Sequence, residues 1–275
     1  MLGEESELVS RVIESNENGL KQYIAENDAV LSILLQKGSI RRAMANIHVL
    51  ATNALVLGQH SYVMQGSLAR AIAWLSIPAT VPPGCAASAQ LMRQAEDDGT
   101  WDGQRLTVGT SLELIVCQLL LGQEDAVRSE FNVVLTDRTM FDGGEAASLR
   151  RAMARHLIHA AAHQPDGVTD ADYRVCHDLG KAGFLKDYHL LMLALRNGSS
   201  SDFNSELEAG ARRFRKRKSS RLRESAWGYG PASEWCFDAL GTAICRVARL
   251  NGIDVQVPDA RLYPLPFWRD ASQQS

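Results

Sequence analysis

Apolar residues recur at three- and four-residue spacing along nearly every long segment of this 275-residue chain. This is the period of amphipathic helices, so the pattern predicts an all-α protein. Alternation with a period of two, which is typical of a half-buried strand, is clear only at Ile253, Val255 and Val257. The predicted helices are Glu4–Gln36, Ser39–Leu57, His60–Leu75, Gln104–Leu121, Glu124–Leu135, Gly144–His163, Ala171–Lys181, Leu185–Arg196, Asp202–Arg217 and Ser233–Leu250.

Glycine residues interrupt three of these helical runs. The segments ALVLGQHSYVMQGSLARAIAWL, CQLLLGQEDAVRSEFNVVL and LMLALRNGSSSDFNSELEAGARRF each contain an apolar run, a glycine and the polar start of another amphipathic segment. A left-handed glycine commonly ends a helix, so we expect Gly58, Gly122 and Gly198 to lie in such turns. Side-chain caps of first turns are expected at Thr169, Ser201 and Ser233.

The three turns are too unevenly spaced for a regular repeat. Their glycines lie 64 positions (122 − 58) and 76 positions (198 − 122) apart, whereas a tetratricopeptide array repeats every ~34 residues. We therefore predict a single domain over 1–275, built as an irregular stack of antiparallel helix hairpins with ten to eleven helices, since the first predicted helix can divide near 16–19.

The net charge, the cysteines and the lengths of the apolar runs exclude several classes of protein but do not identify a partner. The formal net charge is −3 and the five cysteines are odd in number and scattered, which predicts neither a uniformly basic nucleic-acid binder nor a disulfide framework. The acidic amino terminus has no apolar stretch followed by a cleavage site, and no apolar run approaches the ~20 residues that span a bilayer. We expect a cytoplasmic protein without membrane contact.

Two long connections carry candidate partner-binding residues. Acidic side chains surround Trp101 in one of them, and two others lie where the chain enters the sixth helix. Carboxylates there can mimic phosphates and attract a basic protein surface, although ordinary solvated loops carry the same residues. Aromatic residues cluster about GYGP before the last helix, and such side chains can anchor an interface or plug a helix onto the core. The candidates are Glu96, Asp97, Asp98, Trp101, Asp102, Asp142, Glu145, Trp227, Tyr229 and Trp235.

The carboxy-terminal third contains the segments KDYHLLMLALRNGSSSDFNSELEAGARRF and SEWCFDALGTAICRVARLNGIDVQVPDARLYP. Their order of features resembles that of the immunity protein 49 family of bacterial polymorphic toxin systems. These are a hairpin with a polar turn, an Ala/Leu-rich helix, a basic residue, a strand-like stretch after glycine, and a final Tyr or Leu before Pro. ATNALVLGQHSYVMQGSLARAIAWL and LELIVCQLLLGQEDAV resemble the family's earlier hairpins. The chain departs from the family in its FRKRKSSRLR insert and PLPFWRD ending.

The resemblance implies an all-α antitoxin that binds and neutralises a cognate toxin, with no catalytic residues and no cofactor. The predicted compartment favours a toxin that acts in the cytoplasm, such as a nuclease or a nucleotide-modifying enzyme. A helical-repeat scaffold with no toxin partner is the alternative. Self-association is left open.

Three histidines offer a competing, enzymatic hypothesis. His156, His159 and His163 follow one helical face at i, i+3 and i+7, a spacing that could supply metal ligands. No HExxH, paired ExxH or CxxC motif accompanies them, which favours histidines that form hydrogen bonds between helices. No GxSxG elbow, phosphate-binding loop or complete GxGxxG fingerprint occurs in the chain, and Cys176 beside His177 does not form an informative dyad.

A basic stretch also has two readings. It could bind the phosphates of a nucleic acid. Cations near the carboxy terminus of a helix also complement the helix dipole, and the positive charge is confined to this stretch. We therefore favour a solvated helix end over nucleic-acid binding. Its residues are Arg212, Arg213, Arg215, Lys216, Arg217, Lys218, Arg221 and Arg223.

Overall fold

The computed structural model describes six parts of the chain and two single residues. The parts are 54–63, 65–79, 109–129, 145–164, 186–220 and 237–268, and the single residues are 18 and 51. Within these ranges every regular element is a helix and no strand occurs. The prediction of an all-α protein is confirmed for this part of the chain.

Eight α-helices and one 3-10 turn occupy the described ranges. The helices are α1 (54–63), α2 (Leu68–Ala79), α3 (Gly109–Leu120), α4 (Glu124–Ser129), α5 (Glu145–Ala161), α6 (Lys186–Arg196), α7 (Ser200–Ser220) and α8 (Ala239–Leu250), and the 3-10 turn is Leu265–Phe267. The bounds of α5 and α6 lie within two residues of the predicted ones. The helix predicted over Ala171–Lys181 and the cap at Thr169 lie outside the described residues.

Three helix starts differ from the sequence prediction. The helix predicted from His60 begins at Leu68, because His60 lies inside α1 and the turn at 65–67 separates the two helices. Helix α7 begins at Ser200, and Ser199, not Ser201, caps it by accepting a hydrogen bond from the Asp202 backbone N–H. Helix α8 begins at Ala239, and its cap is Asp238, whose carboxylate accepts from the Gly241 backbone N–H. Ser233, the predicted cap, lies outside the described residues, and Phe237, directly before Asp238, is not helical.

Gly58 does not end a helix. It lies inside α1, which continues to residue 63, and the turn to α2 contains Gly66 with φ +62°. A Cβ at position 58 would approach Leu75 Cγ of α2 to 2.9 Å. The glycine therefore allows two helices to pack closely, a tertiary role that the local sequence pattern does not distinguish from a cap.

Helices α3 and α8 form the centre of the core. Helix α3 packs against α2, α4, α5 and α8, and α8 also contacts α5, α6 and the 3-10 turn. Residues 112–120 of α3 and 240–248 of α8 are all buried. A helix enclosed on every side must satisfy its polar side chains internally, and both helices carry such groups.

Four helices end in the same hydrogen-bonded turn. In each, the second residue after the helix donates to a carbonyl three residues back, and the residue that follows it donates to a carbonyl five residues back. The pivot of this turn has positive φ and is Gly122, Gly198 or Gly252 in three cases, but His163 in the fourth. The predicted roles of Gly122 and Gly198 are confirmed.

The tail after α8 runs along α7 without forming a strand. Ile253 and Val255 are buried and Asp254 and Gln256 are exposed, so the alternation seen in the sequence is real. The backbone of this segment is bound by side chains: Ser200 accepts from Asp254 N–H, and Asn204 bonds both Asp254 O and Gln256 N–H. Helix side chains thus take the place of a neighbouring strand.

The PLPFWRD ending contributes to the core. Phe267 stacks on Phe237 with ring centroids 5.1 Å apart, and both contact the edge of Tyr62 from α1. Trp268 is buried and donates its indole N–H to Tyr263 O at 3.1 Å. The ending that departs from the family resemblance therefore closes the interior between α1 and α8.

No helix in the described ranges is long and apolar enough to cross a membrane.

We predict that Gly122→Ala destabilises the protein more than Gly252→Ala. Both glycines have positive φ, which costs an alanine about 1 kcal/mol. At position 122 the new Cβ would also lie 2.7 Å from Arg246 Nη2, whereas at 252 nothing lies within 4 Å. Displacing the buried guanidinium raises the expected total to about 3 kcal/mol. Urea unfolding of both variants measures the difference, and equal losses would contradict the assigned contact.

Candidate functional site

The predicted partner-binding residues fall almost wholly outside the described part of the chain. Glu145 is the exception, since it is the first residue of α5. Whether these residues lie close to one another therefore stays a prediction. The residues outside the described ranges are Glu96, Asp97, Asp98, Trp101, Asp102, Asp142, Trp227, Tyr229 and Trp235.

The three histidines of α5 do not share one face. His156 and His159 are buried, 0% and 4% exposed, whereas His163 lies beyond the helix end, is exposed, and has φ 58°. The left-handed turn at His163 takes it off the helical path on which the spacing argument depended. The expectation that the three histidines follow one helical face is therefore wrong. Within the described ranges no group of three or more His, Cys, Asp or Glu could hold a metal ion.

A second helix completes a different histidine cluster. His189 of α6 is also buried, 5% exposed, and its charge acts on His156 together with those of His159, Arg196 and Arg155. Burial is the main cause that lowers the pKa of His156 to about 3, and the four neighbouring groups lower it further. His156 is therefore a neutral imidazole at physiological pH. The sequence contained no signal that would place His189 close enough to act on His156.

His163 lies beside a guanidinium that holds α4 against α5. Arg128 donates through Nε to the Ala161 carbonyl at 2.7 Å, and its Nη2 lies 3.1 Å from His163 Nε2. Arg128 also pairs with Asp125 at 2.9 Å. Asn251 donates to the Ala160 carbonyl at 2.7 Å. The carbonyls at the carboxy end of α5 are thus satisfied by side chains from two other elements.

The basic stretch continues α7. Residues 212–218 lie within the helix, whose first turn contains Asp202. Arg212 pairs with Glu208 at 2.5 Å and Arg213 with Glu206 at 3.5 Å. Arg212 is exposed, and the interpretation of the whole stretch as a solvated helix end stays a prediction. Arg221 and Arg223 lie outside the described residues.

A buried joint connects α6, α8 and the tail through one carboxylate. Asp238 accepts from the Tyr188 hydroxyl at 2.8 Å and from the Gly241 N–H at 2.8 Å, and its own N–H donates to Leu262 O at 2.9 Å. All three contacts are inside the protein. An Asp directly before an apolar helical run is a recognised cap signal, and it is the signal that the prediction of Ser233 overlooked.

A buried ion pair connects α8 to α4. Arg246 donates through Nε to Glu124 Oε1, with side-chain exposures of only 11% and 14%. The guanidinium also lies against the backbone of Gly122. A pair this enclosed must keep both partners, because removing one leaves an uncompensated buried charge.

The two cysteines in the described ranges are buried core residues. Burial is the largest cause that raises the pKa of both thiols, with Glu113 adding to the effect at Cys117 and Asp238 at Cys245. Nucleophilic cysteines need an accessible thiolate. Neither residue has the environment of a reactive thiol.

In the described parts, buried hydrogen bonds and an ion pair connect the helices, and few large apolar side chains are exposed. Val63 and Ile72 are the large hydrophobic side chains exposed there, each at 42%, and they lie on the α1–α2 pair. Two buried polar side chains, those of Asp238 and Arg246, join α8 to α6 and α4.

A comparison of the chain with known protein families, curated proteins and solved structures finds no significant match. Membership of the immunity protein 49 family stays a prediction, based on the sequence segments quoted above.

We predict that Arg246→Met destabilises the protein by about 3 kcal/mol, because Glu124 would remain buried without its cation. The double variant Arg246→Met/Glu124→Leu should recover to within about 1 kcal/mol of the original protein, since an apolar pair of similar volume replaces the ion pair. Chemical unfolding of the single and double variants measures both values. Additive losses would show that the two side chains do not act as a pair.

We predict that Tyr188→Phe lowers the free energy of unfolding by about 2 kcal/mol, since it removes a buried hydrogen bond to a carboxylate. Tyr62→Phe is the matched control, because Tyr62 packs by its ring against Phe237 and Phe267. The control should change stability by less than about 0.5 kcal/mol. Similar losses in both variants would contradict the role given to the Tyr188 hydroxyl.

Proposed function

We propose that this chain is an antitoxin: an immunity protein that binds a cognate bacterial toxin and neutralises it by stoichiometric occlusion. The toxin acts in the cytoplasm, where we also place this protein, and nucleases or nucleotide-modifying enzymes are the classes that fit. The chain works by binding and not by catalysis. We extend the hairpin architecture to the whole chain as an irregular stack within one domain.

The observation that carries the proposal is the coherence of the carboxy-terminal unit. The features on which the family resemblance depends are the α6–α7 hairpin, the Ala/Leu-rich helix α8, its basic residue Arg249, the stretch after Gly252, and the final Tyr263 before Pro264. These features contact one another through Tyr188–Asp238, the bonds of Ser200 and Asn204 to the tail, and the Asp238–Leu262 backbone bond. The resemblance thus falls on residues that fold as a single unit, as a shared fold requires.

The chemistry of the predicted recognition residues supports a basic toxin surface. The acidic group around Trp101 has the sign that steers association with a protein whose substrate is a phosphate-bearing molecule. A rigid interior supports such recognition, because preorganised elements lose less conformational entropy when they bind. Helical scaffolds of other function share this rigidity, so the discriminating evidence is the partner.

The first test is recovery of the partner. We expect the tagged full-length chain, purified from its native cells, to retain a near-equimolar protein with a toxin-like carboxy-terminal domain. Co-production of the two should restore growth to cells that the toxin domain alone arrests. Recovery of unrelated cellular proteins, with no protection from that domain, would favour the helical scaffold without a toxin partner.

We predict that Asp97→Lys/Asp98→Lys slows association with the recovered toxin at least about tenfold at low salt, with a smaller effect at high salt, because rim charges act mainly on the association rate. The matched control is Glu208→Lys/Asp254→Lys, which reverses two exposed carboxylates of the α7 and tail surface. Surface plasmon resonance at two salt concentrations measures both. If the control slows association equally, net charge and not the Trp101 region would direct binding.

A further inference from the structure

The turns after α6 and α8 contain the same dipeptide, an asparagine followed by a glycine. Asn197–Gly198 follows α6 and Asn251–Gly252 follows α8, and both glycines have positive φ. The side-chain amide of an asparagine can form a five-membered ring with the next backbone nitrogen, and a glycine there has no side chain that hinders the approach. Both turns therefore contain the reactants of a ring closure. A third pair, Asn18–Gly19, extends outside the described residues.

The attacking nitrogens have similar surroundings in the two turns. The Gly198 N–H donates to the Leu195 carbonyl at 3.0 Å, and the Gly252 N–H donates to the Arg249 carbonyl at 2.9 Å. A Cβ atom built on either glycine would find nothing within 4 Å. Neither steric access nor this hydrogen bond distinguishes the two sites, so a difference in reactivity must come from the asparagine side chains and from how readily each turn opens.

The Asn251 side chain is fixed by two other helices. Its Nδ2 atom donates to the carbonyls of Ala160 in α5 and Val247 in α8, each at 2.7 Å. An amide nitrogen has two N–H bonds to donate, so both are used. Ring closure at Asn251 requires that these partly buried hydrogen bonds break before the amide carbon can reach the next nitrogen.

Asn197 lies in a more exposed turn. Both Asn197 and Gly198 are exposed, and none of the described residues forms a hydrogen bond with the Asn197 amide. The bond that closes this turn, from the Ser199 N–H to the Ala194 carbonyl, is 3.4 Å long, whereas the corresponding bond after α8 is 3.0 Å. Turns with exposed hydrogen bonds open at a low free-energy cost. The Gly198 nitrogen is therefore released for attack more readily than its counterpart after α8.

We propose that Asn197 deamidates spontaneously in the folded protein, and that the packing of α8 against α5 protects Asn251. In the first step the Gly198 backbone nitrogen bonds to the Asn197 Cγ atom, and the Cγ–Nδ2 bond breaks. The proton of the attacking N–H leaves with Nδ2 as ammonia, and a cyclic imide remains. In the second step a water molecule opens the imide. Water is the only co-reactant, and nothing is oxidised or reduced.

Opening of the imide gives two products. Addition of water at Cγ leaves an aspartate at position 197, whereas addition at the main-chain carbonyl leaves an isoaspartate, whose main chain contains an additional methylene group. Both products place a new negative charge in the turn between α6 and α7. The isoaspartate also lengthens this turn, which joins two helices that pack against each other. The modification is therefore confined to one end of the α6–α7 hairpin.

Incubation of the full chain in mildly alkaline buffer, followed by tryptic peptide mapping, tests the proposal. The two sites lie on separate tryptic peptides, 197–212 and 250–261, so the mass gain from replacing ammonia by water is assigned to each one. A sample digested without incubation corrects for conversion during digestion. We expect Asn197 to convert at least about tenfold faster than Asn251, because two hydrogen bonds must first be released at Asn251. A smaller ratio would overturn the proposal.

Incubation in concentrated guanidinium chloride shows whether the folded structure causes the difference. Unfolding removes the restraints on Asn251, so the two rates should then agree within about threefold. A ratio that persists in the unfolded chain would assign the difference to the neighbouring residues in the sequence, and it would overturn the protective role given to the contact between α8 and α5.

The variant Asn197→Gln identifies the reacting residue. Glutamine keeps an exposed amide, but its longer side chain must close a larger and less favourable ring. Conversion in peptide 197–212 should therefore stop in this variant, while conversion at Asn251 should not change. Asn204 lies on the same peptide, and its side chain is bound to Asp254 and Gln256 of the tail. A mass gain that persists in the variant would place the reaction at Asn204 and overturn the proposal.

Discussion

Helix α8 is enclosed along nine consecutive residues, 240–248, and each polar group on it must therefore find its partner inside the protein. The Thr242 hydroxyl donates to the Asp238 carbonyl, Arg246 pairs with Glu124, and Asp238 caps the first turn. Each longer-range contact reaches a different element. Burying this one helix consequently fixes where α4, α6 and the tail lie around it.

The same constraint governs the ends of the other helices. Carbonyls in the last turn of α5 are taken by Arg128 from α4 and by Asn251 after α8, while four helices turn through a residue with positive φ. Glycine occupies three of those positions because it adopts this conformation without a steric penalty. His163 occupies the fourth, where the conformation is less favourable for its side chain and its ring lies beside Arg128.

This interior has consequences for the proposed antitoxin role. Its polar groups are used to join helices, which leaves recognition to the exposed connections and faces that such a scaffold displays.

The sequence by itself determined the helical class, the bounds of α5 and α6 to within two residues, and the turns at Gly122 and Gly198. These features depend on the apolar period and on backbone preferences, which act over a few neighbouring residues. The tertiary structure decided that Gly58 brings α1 close to Leu75, that Asp238 and not an earlier residue starts α8, and that His163 leaves the face of His156. It also paired Arg246 with a residue 122 positions away and Tyr188 with one 50 positions away. The partner of a buried charge or hydroxyl is the group that the packing of the helices places next to it. Such a partner can be far away in the sequence, so a local sequence pattern does not identify it.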